Sequence, residues 1–89
     1  MNHNMDAEIE IEVLFFAGAA EAVGQKRLRL TVPAGESLGD LSKRLEGCYP
    51  GLTRWVHSGR WAINEAFCKP STVLEHPCTL AFIPPVSGG

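Results

Sequence analysis

The run Glu8-Ile9-Glu10-Ile11-Glu12-Val13-Leu14-Phe15 constrains the fold more than any other stretch of the chain. Ile9, Ile11, Val13 and Phe15 recur at every second position, with Glu8, Glu10 and Glu12 between them. A period of two places the apolar residues on one face of a β-strand and the acids on the other. Such a strand must pair with others and have its apolar face covered. Leu14 and Phe16 break the alternation, because they are apolar on the face that began acidic.

The same pattern returns from Lys26 to Val32, where Leu28, Leu30 and Val32 point inward and Arg27, Arg29 and Thr31 outward. Ala17 to Gln25, small and punctuated by glycine, reads as the loop of an antiparallel hairpin, and Pro33-Ala34-Gly35 ends the second strand. Ser37 to Glu46 is the best helix. Ser37 is a natural N-cap with Asp40 three residues on. Leu38, Leu41 and Leu45 form one stripe, Lys43 and Arg44 sit toward the C-terminal end, and Gly47 suits the residue just past it. Beyond a turn at Tyr49-Pro50-Gly51, Leu52 to His57 fits an irregular helical turn. Trp61 to Asn64 reads as a short strand with Trp61 and Ile63 on one side, and Asn64-Glu65-Ala66 as a turn into Phe67-Cys68. Ser71 to Leu74 fits one helical turn. Cys78 to Ile83 is the last strand, with Leu80 and Phe82 on one face and Thr79, Ala81 and Ile83 on the other. One helix can cover one face of a mixed sheet in which the first and last strands lie parallel. The expected class is α+β, a β-grasp (ubiquitin-like) fold. Residues 1–7 are expected to be a disordered tail, 8–83 the domain, and 84–89 an extended arm.

That arm, Pro84-Pro85-Val86-Ser87-Gly88-Gly89, has no ionisable side chain, so its charged group is the carboxylate of Gly89. The prolines hold its root extended, and the glycines leave its end thin. Six extended residues reach about 20 Å, enough to carry a carboxylate into another protein's cleft. At 89 residues the chain forms one domain with a modest core. Its net charge of −2 and lack of a basic stripe argue against nucleic acid. No apolar run approaches a membrane span, and Met1 to Glu8 does not resemble a secretory signal. Cys48, Cys68 and Cys78, 20 and 10 apart, suit neither a disulfide framework nor a zinc site. They are expected to be buried, reduced thiols in a cytoplasmic protein. His3, His57 and His76 lack ligand spacing, so no metal site is expected.

Several segments resemble the MoaD-like small subunits of molybdopterin synthase, within the MoaD/ThiS sulfur-carrier family. They are Val13-Leu14-Phe15-Phe16-Ala17, Gly39-Asp40-Leu41, Tyr49-Pro50-Gly51-Leu52, Ala62-Ile63-Asn64-Glu65, and the terminal Ala81-Phe82-Ile83-Pro84-Pro85-Val86-Ser87-Gly88-Gly89. The similarity spans residues 9–89; His76-Pro77-Cys78 departs from the acidic, glycine-containing turn common there. The resemblance implies that an adenylating partner uses ATP and magnesium to make an acyl-adenylate at Gly89. A sulfur donor protein then displaces AMP to leave a thiocarboxylate. The arm next enters the large synthase subunit, in a heterotetramer, and its sulfur builds the molybdopterin dithiolene. This chain itself would bind no cofactor, and the acids and bases would belong to the partner. Pro84, Pro85, Val86, Ser87 and Gly88 would contact partners. The alternation places Phe16 and Ile83 opposite the core as a docking surface, which Phe67 extends. Three other readings remain open: a ThiS-like carrier for thiazole synthesis, a ubiquitin-like modifier joined to lysines, and a non-catalytic β-grasp interaction module.

Overall fold

A computed structural model describes residues 7–85 of the chain. The alternating segment forms β1, Glu8–Phe15, and the second one forms β2, Arg27–Pro33. They pair antiparallel with Ile9 opposite Val32, Ile11 opposite Leu30 and Val13 opposite Leu28. The last strand, β7, Cys78–Ile83, lies parallel to β1 on its other side and sets Val13 beside Leu80 and Phe15 beside Phe82. With β4, Arg60–Ile63, and β5, Ala66–Cys68, the five-stranded sheet has the order β2-β1-β7-β4-β5. A two-stranded pair, β3 (Glu36–Ser37) and β6 (Val73–Leu74), lies apart from it.

The core forms where the inward faces of β1 and β7 meet helix α2, Leu38–Cys48. Val13, Leu80, Phe82, Leu38 and Leu41 are wholly enclosed, and Leu52 and Leu74 close the ends. Trp61 tilts against Phe82 with ring centroids 5.0 Å apart and an interplanar angle of 59°, within the distance range of favourable aromatic pairs. An N-terminal hairpin, one principal helix and a parallel pairing of first and last strands make the expected β-grasp arrangement.

Ser37 caps α2 as the sequence suggests: the Asp40 amide donates to Ser37 Oγ at 3.1 Å. We expect Ser37→Ala to lower stability by about 1 kcal/mol. Urea denaturation checks this; a midpoint equal to the parent's would show that the cap contributes nothing. The first two amides of α2, at Leu38 and Gly39, donate to the carbonyls of Thr72 and Pro70. This accounts for a correction: Ser71 to Leu74 is not a helical turn. A turn leads into β6, where Leu74 pairs with Glu36, and the backbone there satisfies amides that a helix start leaves without partners.

Two other expectations change. Ala17 to Gln25 is not a plain loop, because Ala17–Val23 forms α1. Its alanines favour helix, and Ala19 and Val23 are buried. The glycines that suggested a loop have other roles. Gly24 closes the helix at φ 87°, with its amide on the Ala20 carbonyl. A Cβ on Gly18 would come within 2.3 Å of the Trp55 ring. Gly47 does not end α2 either. The helix runs to Cys48, and the Tyr49 amide bonds the Leu45 carbonyl, so Lys43 and Arg44 lie at mid-helix. Pro50, opening a 3-10 turn over Pro50–Leu52, sets the end instead, since the residue before proline disfavours helical angles. The irregular turn expected after it is α3, Thr53–Val56. Among the described residues no helix is long and apolar enough to cross a membrane.

Candidate functional site

The sheet has a helix-covered face and an open face, and the open face carries the site. Register explains its composition. Leu14 pairs with Ala81 across β1 and β7, Ala81 with Ala62 across β7 and β4, and Ala62 with Phe67 across β4 and β5. Directly paired residues project to the same side of a sheet, so Leu14, Ala81, Ala62 and Phe67 form one apolar row over four strands. The two alanines make a low floor. Phe16, Phe67 and Ile83 rise around it, 46%, 62% and 36% exposed, values high for large apolar side chains. All six line one shallow depression of about 600 Å³.

Local backbone geometry sets the walls. Phe16 is extended at the end of β1, and Ala17 takes φ 50°, a left-handed angle uncommon outside glycine. That turn swings the chain into α1 and leaves Phe16 on the open side. Phe67 follows a two-residue hairpin in which Asn64 and Glu65 both have positive φ, 47° and 76°, the twist that best joins two strands. Asn64 also ties the hairpin to β7, its amide donating to the Thr79 carbonyl at 3.0 Å. The Arg60 guanidinium lies 5.1 Å from the centre of the Phe67 ring, a cation–π contact that holds the ring in place.

Ile83 joins this depression to the arm, since β7 ends there and Pro84 and Pro85 follow at once. Val86, Ser87 and Gly88, expected to contact partners, and Gly89, expected to carry the sulfur, lie outside the described residues, as do residues 1–6 of the expected N-terminal tail. The sequence does not mark Leu14, Ala62 and Ala81 as lining residues. The break in alternation at Leu14 was their one signal, and the alanines gave none, because only the strand register puts them together. Polar groups in the depression are few, Asn64, Glu65 and Thr79, so its chemistry is that of apolar contact.

The cysteines also differ from expectation. None is fully buried: Cys48 is exposed, Cys68 and Cys78 are half-buried, and all three are free thiols. Cys48 ends α2 on the solvent side, beyond the Leu38–Leu41–Leu45 stripe. Partial burial pushes the thiols of Cys68 and Cys78 up from the ordinary value, which keeps them protonated and weakly nucleophilic. Among the described residues no cluster of His, Cys, Asp and Glu could hold a metal ion.

An exposed apolar platform that runs through Ile83 into Pro84 and Pro85 sits on one face of a β-grasp fold. The chain belongs to the ThiS family, whose profile matches residues 13–89. The molybdopterin synthase sulfur carrier subunit of Arabidopsis thaliana is 35% identical over 83 residues, covering 93% of this chain and 86% of the relative. That of Mycobacterium tuberculosis is 34% identical, covering 91% and 99%. Small archaeal modifier protein 3 of Haloferax volcanii is 30% identical, covering 91% and 100%. Among solved structures, SAMP1 from Haloferax volcanii superposes with a TM-score of 0.78 at 27% identity, covering 90% of this chain and 99% of that one. A complex of subunits 1 and 2 of the molybdopterin-converting factor from Helicobacter pylori shares the fold, with a TM-score of 0.64 at 22% identity over 91% of this chain and 100% of that one.

Proposed function

We propose that this chain is the sulfur-carrier subunit of a molybdopterin synthase. The observation that carries the reading is the junction at Ile83, which is at once a wall of the open-face depression and the residue before the arm. A partner seated on Phe16, Phe67 and Ile83 receives Pro84 to Gly89 in a fixed direction. At neutral pH a carboxylate is ionised and a poor electrophile, so the Gly89 carboxylate must be activated before it accepts sulfur. An adenylating enzyme supplies that step with ATP and magnesium, and a sulfur donor protein displaces AMP to leave the thiocarboxylate. The loaded arm then enters the large synthase subunit in a heterotetramer, and its sulfur goes to the pterin precursor. The chain itself holds no cofactor in this scheme. The three free thiols suit a reducing compartment such as the cytoplasm.

Intact-mass spectrometry tests the proposal, after incubation with an adenylating enzyme, ATP, magnesium and a sulfur source. One oxygen-for-sulfur exchange is expected; its absence under conditions that load an established carrier overturns the reading. For the platform, we expect Phe16→Glu to leave the far-ultraviolet circular dichroism unchanged, since Phe16 is half-exposed. Binding to the large subunit should weaken by at least about thirtyfold, the cost of losing an anchor of about 2 kcal/mol. Calorimetry giving an unchanged affinity would remove Phe16 from the interface.

The likeness to a small archaeal modifier protein favours a second reading, in which Gly89 is joined to lysines of other proteins. A ladder of tagged conjugates in cells would support it, and loading with sulfur without any conjugate would argue against it.

A further inference from the structure

The helix-covered side of the sheet has a groove of its own, between α2 and the β4–β5 hairpin, of about 500 Å³. Leu38, Val56, Trp61 and Pro70 give it apolar walls. Its charged lining is Lys43 from α2, Arg60 from β4 and Lys69 from just beyond β5, with His57 beside them, against the one carboxylate of Glu46. Three bases to one acid make +2 in a chain whose net charge is −2. Ser42 forms part of the wall, and its buried hydroxyl has no hydrogen-bond partner among the described residues. The groove also continues around the edge of the sheet. Arg60, Phe67, Cys68 and Lys69 line a smaller hollow of about 270 Å³, which joins the groove to the exposed ring of Phe67.

We infer that this groove is a docking site for an acidic segment of a protein partner, one that carries an apolar side chain between its carboxylates. The charge separates this occupant from a basic or neutral one. The apolar walls favour a peptide over a bare anion, because an inorganic anion would leave the exposed surface of Val56 and Pro70 without a contact. A nucleic acid needs a broader run of cations than three beside a carboxylate. Charge pairs at a rim act mainly on encounter rate and partner choice, so the groove selects and orients a partner while the open face supplies the apolar contact. The inference does not depend on what Gly89 carries, so loss of sulfur loading would leave it standing.

The test uses the full chain, labelled with nitrogen-15 and titrated with a capped hexapeptide, Glu-Glu-Leu-Glu-Phe-Glu. Amide shifts are expected at Gly39, Lys43, His57 and Lys69 and at the Trp61 indole, with Phe16 and Leu14 unmoved. Lys43→Glu combined with Lys69→Glu should weaken binding about tenfold or more, as should raising the salt concentration well above physiological. Both lysines are exposed, so the variant should keep its spectral dispersion. Lys69→Gln alone should give a smaller loss in the same direction, and it carries the test if the double variant does not fold. Equal binding of a peptide with lysine in place of glutamate overturns the inference, as does an affinity unchanged in the variants. Shifts at Phe16 in place of the groove overturn it too. Full displacement by inorganic phosphate would make the groove a small-anion site and refute the peptide.

Discussion

A chain lacking Gly89 should acquire no sulfur at all, although its domain folds as before. The expected readout is complete loss of the oxygen-for-sulfur mass change, with the adenylating enzyme still bound at close to the parental affinity. The reason lies in the division of labour between arm and platform. Phe16, Phe67 and Ile83 belong to the folded domain and are untouched by the deletion, so recognition survives. The shortened arm ends one residue early, at up to about 3.6 Å from where the carboxyl carbon should stand. Misplacement of a reacting atom by even about 1 Å can cost a hundredfold in rate. Adding one alanine after Gly89 should fail for the complementary reason, since the carboxylate then overshoots and the terminal residue carries a Cβ that glycine lacks. Loading of either variant at a tenth of the parental rate or faster would mean that the enzyme does not measure the arm's length, and the carrier reading would lose its main support.

The largest effect on stability is expected from Phe82→Ala, a loss of about 3–5 kcal/mol. Phe82 is fully buried at the centre of the sheet, between β1 and β4, and its ring meets Trp61. The packing around it is tight. A Cβ placed on Gly59 would lie 2.3 Å from Phe82 Cζ, so the backbone there has been drawn in against the ring. Its removal leaves a cavity walled by a tilted indole and fixed strands, with little able to collapse into it. A domain of this size has about 5–15 kcal/mol in total, so the variant should sit near its unfolding threshold. Equilibrium urea unfolding checks this, with Ile83→Ala as a neighbouring control, since Ile83 is partly exposed and should change stability far less. A Phe82→Ala loss under about 1 kcal/mol would show that the core relaxes around the site.

Where side-chain periodicity decides the structure, the sequence already contains the answer. The alternations of Ile9 to Phe15 and Leu28 to Val32 are strands in the expected pairing, and the Leu38–Leu41–Leu45 stripe is the buried face of the helix that Ser37 caps. The break at Leu14 and Phe16 pointed to the open face. The departures have a common cause, in that a local signal was overridden by a contact distant in sequence. Gly18 looks like a loop residue until Trp55 is seen against it. Ser71 to Leu74 looks helical until the Thr72 carbonyl is needed by Leu38 and Leu74 by Glu36. Cys48, Cys68 and Cys78 were expected inside on residue type alone, yet position relative to the helix stripe and the sheet edge leaves them half-exposed or exposed. Ala62 and Ala81 could not be foreseen as the platform floor, because register between strands is a property of the whole sheet.

The parallel pairing of β1 with β7 has a consequence for how the protein is made. The central strand of the sheet is the last one synthesised, and it must close against a strand near the opposite end of the chain. Contacts so far apart are formed late and slowly, because the entropy of closing the loop between them is lost before any contact compensates for it. An incomplete chain still on the ribosome lacks Leu80 and Phe82, two wholly enclosed residues at the centre of the sheet, and so has an incomplete core. The arm follows directly after that strand, so the platform is completed only when the strand that carries the arm has paired with β1 and β4. Partners that require Phe16, Phe67 and Ile83 together would thus ignore nascent and misfolded copies without any separate quality check.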